Sequence, residues 1–79
     1  MLSELMTKEK VVGIKQLRKA LNEGRAKKVF VAEDADPKLT DPITQKCAME
    51  GVPCETVSTM AELGRACQIE VGAAVAGLI

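Results

Sequence analysis

Four consecutive β-forming apolar residues, Val29-Phe30-Val31-Ala32, leave their segment without a polar face. A strand of that kind has to be covered on both sides, and helices usually supply the cover. The flanking sequence provides them, because its hydrophobic period switches repeatedly between helix and strand. Leu2, Leu5 and Met6 share a helical face, which predicts a short first helix over residues 3–9. Val11-Val12 is a brief strand ended by Gly13. Ile14, Leu17, Ala20 and Leu21 then form an apolar stripe for a helix over 14–23, with Gly24 at its C′ position. Beyond the loop Glu33-Asp34-Ala35-Asp36-Pro37, a third helix turns Ile43 and Cys47 inward and stops at Gly51. Asp36-Pro37 and Asp41-Pro42 each offer an N-cap followed by an N1 proline. Cys54-Glu55-Thr56-Val57 reads as a strand. Thr59-x-x-Glu62 is a capping box that opens a helix of 60–67. Gln68 to Gly72 is a loop, and Ala73 to Ile79 is a small-residue strand.

The order α-β-α-β-α-β-α-β predicts an α/β fold, a three-layer α/β/α sandwich around a four-stranded mixed sheet. Strands separated by helices are expected to run mostly parallel, with the short first strand pairing antiparallel. One domain is expected to span residues 1–79, a length that supports a single modest core.

Composition removes several functions. Phe30 is the one aromatic residue, and the chain has no Trp, Tyr or His. Single-strand binders that stack bases on aromatic rings are therefore excluded, as is catalysis by Ser/His or Cys/His pairs. Cys47, Cys54 and Cys67 form no C-x-x-C and lack a fourth zinc ligand, so reduced, semi-buried thiols in a reducing compartment are expected. No apolar run is long enough for a signal peptide or a membrane span, which predicts a cytoplasmic protein with no membrane partner. No cofactor is expected. The formal charge is zero, yet residues 1–28 carry eight lysines and arginines against three acids, and residues 29–79 carry three against eight. Such asymmetry points towards nucleic acid, though a mixed solvated surface produces it too.

Three constellations could carry function. The first is Gly13 at a strand-to-helix turn, followed by Lys15, Gln16 and Lys19 on the face opposite the apolar stripe. Backbone amides, two cations and one donor–acceptor amide at one spot suit phosphate and base edges. A plain amphipathic helix with a basic face has the same pattern. The second is the loop carrying Ile69, Glu70 and Val71, whose branched side chains either cover an unstacked base or turn inward to close the core. The third is Glu33, Asp34 and Asp36, which could hold Mg²⁺ but more simply cap helices.

Val31-Ala32-Glu33-Asp34-Ala35-Asp36-Pro37, Leu63-Gly64-Arg65-Ala66-Cys67 and Ile69-Glu70-Val71-Gly72-Ala73-Ala74, together with the helix start at Gly13, resemble the ribosomal L-seven-Ae/L-thirty-e family. The similarity is to its short bacterial members of the YbxF type. It implies an α/β/α sandwich and a non-enzymatic, ribosomal-protein-like RNA-binding role. The expected RNA is a kink-turn, a duplex bent sharply at a bulge beside tandem sheared G·A pairs, in ribosomal RNA or a riboswitch. By position, Gly13 would let backbone approach the RNA, and Lys15 and Gln16 would face the G·A edges. Lys19 would meet a guanine or a nearby phosphate, and Ile69, Glu70 and Val71 would line the bulge. The resemblance implies a monomer able to associate with the ribosome. An alternative is a ribosome-associated or protein-interaction module without sequence-selective RNA binding. Archaeal and eukaryotic members usually carry Asn-Glu where this chain has Lys15-Gln16. That change removes a carboxylate acceptor and adds charge, so binding is expected to be less tight or less selective.

Overall fold

The computed structural model describes residues 4–79. Its elements are α1 (Glu4–Thr7), β1 (Lys10–Val12), α2 (Ile14–Asn22), β2 (Lys28–Ala32), α3 (Pro37–Glu50), β3 (Cys54–Val57), α4 (Met60–Ala66) and β4 (Val75–Leu78). The eight expected elements thus occur in the expected order. Leu2, placed on the apolar face of the first helix, and Ser3, its predicted first residue, lie outside the described residues. α1 is a single turn that buries Leu5; Met6, expected on the same face, is exposed.

The strand order is β1-β4-β2-β3. β2 and β3 pair in parallel, whereas β4 pairs antiparallel with both β1 and β2. The short first strand is antiparallel to its neighbour as anticipated, but a mostly parallel pairing is not found. Three strands run one way, and β4 is inserted between two of them in reverse. The cause lies in α4, whose seven residues rise only about 10 Å. The segment after it folds straight back along the helix, where the Ala73 amide donates to the Met60 carbonyl at 3.0 Å. The chain therefore enters β4 at the end of the sheet where β3 stopped.

Two layers of helix cover the sheet. Val29, Val31 and Val75 pack with Leu17, Leu21, Ile43 and Cys47 under α2 and α3. Phe30, Ala32, Ala76 and Leu78 pack with Leu5, Leu63 and Cys67 under α1 and α4. Alternate residues of β2 face opposite cores, which is why its sequence has no polar face. Lys28 follows the same alternation onto the α1 face. Its ammonium lies 3.1 Å from Glu4 and 3.2 Å from Glu55, and 5.1 Å from the centre of the Phe30 ring. The two acids and the ring tie α1 and β3 to the middle of the sheet.

Capping resolves two ambiguities. Of the two Asp-Pro pairs, Asp36-Pro37 starts α3: the Asp36 carboxylate accepts from the Lys38 amide at 2.9 Å. Pro42 lies within the helix as its sixth residue, where it has no amide to donate to the Lys38 carbonyl. At α4, Thr59 Oγ1 accepts from the Glu62 amide at 3.0 Å, and Asp34 Oδ1 reaches across from the loop after β2 to accept from the Met60 amide at 2.7 Å. Two of the three loop acids thus serve helix starts, as the simpler reading of that cluster anticipated.

The fold-back along α4 depends on Gly64. A methyl group there would run into the Val71 carbonyl and crowd Gly72 Cα. Helix propensity alone favours alanine over glycine by about 1 kcal/mol. The backbone collision opposes it at about 1–3 kcal/mol. Gly64→Ala is therefore expected to lower the urea midpoint of unfolding; a raised midpoint would show that the segment does not lean on α4. Asp34→Ala should cost about 1 kcal/mol by the same measurement through loss of the distant cap, with Asp34→Asn retaining most of it.

Candidate nucleic-acid interface

α2 is amphipathic, with Leu17, Ala20 and Leu21 buried and Lys15, Gln16, Arg18 and Lys19 exposed. Among α2, α3 and α4, it is the helix whose start receives no side-chain cap. The residue before it is Gly13, with φ 98° and ψ 158°, a conformation open essentially to glycine alone. Apart from Gly13 and its two chain neighbours, no described residue comes within 4 Å of where a Cβ would stand there, so the space beside the turn is open to a ligand. The Gly13 amide itself is used, donating to the Val75 carbonyl at 3.1 Å. The amides of Ile14, Lys15 and Gln16 begin the helix without a carbonyl four residues back inside it. They give the tip its positive end, with the lysines around it.

The second constellation is on the surface, not in the core: Ile69 is 37% and Val71 70% exposed, and Glu70 is exposed as well. Local geometry explains this. α4 ends in a Schellman arrangement, in which the Gln68 amide donates to the Arg65 carbonyl at 3.0 Å and the Ile69 amide to the Gly64 carbonyl at 3.1 Å. Gln68 takes the left-handed conformation, φ 64°, that the motif requires. The chain then returns along α4 through the close contact at Gly64.

Register brings the two constellations to one end of the sheet. Val12 pairs with Ala76, the Gly13 amide bonds to Val75, and the Ala32 amide donates to the Ala74 carbonyl. The start of β4 therefore sits between the ends of β1 and β2. Val71 lies four residues before Val75, so it is within about 14 Å of the residue that holds Gly13. Gly13, Lys15, Gln16 and Lys19 share this end with Ile69, Glu70 and Val71. Gly64, which sets the path of the loop, was not singled out by sequence as a positioning residue. Its signal in the sequence is a glycine inside a short predicted helix, where alanine would be the better helix former.

The thiols are less uniform than expected. Cys47 and Cys67 are buried, whereas Cys54 is exposed at the start of β3. Burial pushes the Cys47 thiol up to about 11 and raises Cys54 and Cys67 as well, which disfavours the nucleophilic thiolate. Among the described residues no group of His, Cys, Asp and Glu is placed to hold a metal ion, and no helix is long and apolar enough to cross a membrane.

Comparison with known proteins agrees with this fold. The model of the Ribosomal protein L7Ae/L30e/S12e/Gadd45 family matches residues 2–79. The chain is 48% identical over 69 residues to an RNA-binding protein of Geobacillus sp. strain WCH70, covering 87% of this chain and 84% of that one. It is 44% identical over 69 residues, with the same coverage, to RNA-binding protein YbxF of Geobacillus stearothermophilus. Among solved structures, the Giardia lamblia 15.5kD RNA binding protein superposes with a TM-score of 0.87 at 29% identity, covering 98% of this chain and 66% of that one. The matched span, the shared fold and the bacterial relatives agree: this chain belongs to the Ribosomal protein L7Ae/L30e/S12e/Gadd45 family.

Proposed function

We propose that this chain is a non-enzymatic RNA-binding protein that recognises kink-turn RNA and stabilises its kinked conformer. The observation that carries this reading is the meeting, at one end of the sheet, of an uncapped helix tip bearing lysines and an exposed aliphatic loop. Relatives named as RNA-binding proteins support the choice of ligand. In this reading the α2 tip enters the major groove where the kink has widened it. Lys15 and Gln16 face the sheared G·A pairs, Lys19 meets a guanine edge or phosphate, and the open side of Gly13 admits the backbone. Ile69 and Val71 cover the flipped bulge nucleotide, with Glu70 between them. The protein acts as a monomer in the cytoplasm, on kink-turns of ribosomal RNA or riboswitches.

Such a surface works by selection. A duplex with a bulge exchanges between extended and kinked forms, and a protein that fits only the kinked form shifts the balance by its difference in affinity. Moving a 1:99 mixture to 99:1 takes about a 10⁴-fold difference. Two contacts at a fixed separation provide discrimination, because the extended form cannot meet both.

Calorimetry with a kink-turn duplex and a control whose G·A pairs are replaced by Watson–Crick pairs tests the reading. Tighter binding of the kink-turn is expected; equal affinity would overturn it. Lys19→Ala should cost about 1–3 kcal/mol if it reads a base edge; if it meets only phosphate, the loss should be nearly sequence-independent and the salt slope should flatten by about 1. Ile69→Asp should weaken binding to bulged RNA. A variant that bound RNA normally yet lost a protein partner would instead make the loop a docking patch for protein.

A further inference from the structure

A second cationic surface begins beside the α2 tip. Between α2 and α3 runs a groove of about 230 Å³, in which Arg18, Lys38 and Lys46 surround Ile14, Leu39 and Pro42. No acidic side chain lines it. The larger cavity, near Leu78, has a different character: Glu4 and Glu9 stand among Lys8, Lys27 and Lys28, and ion pairs from Glu4 to Lys8 and Lys28 already balance part of its charge. The α2–α3 groove keeps most of its positive charge uncompensated. Among the described residues, its one ion pair joins Lys46 to Glu50 at 3.6 Å between partly exposed side chains, a contact that a phosphate can readily replace.

Position gives the groove a direction. Ile14 is the first residue of α2, and Lys38 is the second of α3. Lys46 lies eight residues beyond Lys38, a rise of about 12 Å. The cations therefore descend from the tip along the flank of the molecule. Leu39 is half exposed and Pro42 exposed, forming an apolar floor between them. Cations flanking a shallow aliphatic floor match a sugar-phosphate strand: phosphates meet the charges, and ribose edges lie on Leu39 and Pro42. A duplex bent at the tip has a second arm to lay along a flank, which a straight one docked by its middle lacks.

We infer that the α2–α3 groove holds the phosphodiester backbone of one duplex arm of the RNA docked on the α2 tip, through Arg18, Lys38 and Lys46. The inference rests on the proposed function and adds to it the means by which the bend is sensed beyond the bulge. The test uses the full chain, a kink-turn RNA and versions of it with either arm shortened, with affinities measured from about 50 to 200 mM salt. The combined variant Arg18→Gln, Lys38→Gln, Lys46→Gln should bind the intact RNA at least about tenfold more weakly and flatten the plot of log affinity against log salt by about 2–3. Shortening one particular arm should abolish that difference, and Arg18→Lys should keep the wild-type slope. An unchanged thermal midpoint would show that the variant is folded; Arg18 and Lys38 are exposed and Lys46 partly so. Wild-type affinity and slope in the triple variant would overturn the inference and leave the groove to an acidic protein segment. A deficit that survived shortening of either arm would overturn it too, as a diffuse charge effect. Loss of kink-turn preference in the wild-type protein itself is a separate result that removes the proposed function.

Discussion

The reversed insertion of β4 between β1 and β2 is the constraint on which the molecule depends. Without it, the α2 tip and the loop before β4 would have no reason to meet. The reversal follows from the short α4 and from the close packing of the returning Val71 and Gly72 on Gly64 and Met60 of that helix. Small residues recur where β4 meets its neighbours: Ala76 is fully buried, and Gly77 lies against Leu17 of α2. A larger residue at 77 would have to displace that leucine. The small-residue character of the last strand, which looks unremarkable as composition, lets a helix approach the middle of the sheet.

Charge is divided among the helix starts with the same economy. Each start exposes amide groups that need acceptors. Asp36 meets this need at α3, and Thr59 and Asp34 meet it at α4. α2 receives no side-chain cap and bears lysines instead. With Gly13 at the N-cap, the missing side-chain cap costs only about a few tenths of a kcal/mol, so the open start is compatible with a stable fold. A donor left for an external acceptor is what a phosphate or base edge requires.

Much of this was legible in the sequence, and what was not has a common cause. Period and turn residues gave all eight elements, and Cys54–Val57 was placed to the residue. The α2 face could be read directly, because its stripe of Ile14, Leu17, Ala20 and Leu21 fixes which side is left for Lys15, Gln16 and Lys19. The direction of β4 was not legible: it depends on a backbone contact between residues 64 and 71, which no local pattern encodes. The cap from Asp34 to Met60 spans 26 residues, so no capping motif reveals it. Asp36-Pro37 and Asp41-Pro42 look alike locally, and only the end of β2 decides between them. Exposure of Ile69 and Val71 was equally undecidable, because branched apolar residues in a loop suit a core as well as a surface. The α2–α3 groove joins cations 20 to 28 positions apart and appears only after the helices pack.

A chain of zero formal charge is not an obvious partner for a polyanion, yet neutrality matters little at this scale. Charges on opposite faces are screened from one another beyond about 8–10 Å at ordinary ionic strength. The molecule extends 29 × 27 × 20 Å, so its faces act as separate electrostatic bodies. α2 contributes Lys15, Arg18 and Lys19 with no acid among its nine residues, while Glu4 and Glu55 are engaged with Lys28 and Asp34 and Asp36 with backbone amides. A phosphate approaching α2 therefore meets a local positive field rather than the average of the whole chain. The neutral total limits attraction to nucleic acid at large, since non-specific affinity rises with the number of phosphates a protein can neutralise. Segregated charge on a neutral body thus favours an RNA whose shape brings its backbone to the right face over one that is merely anionic.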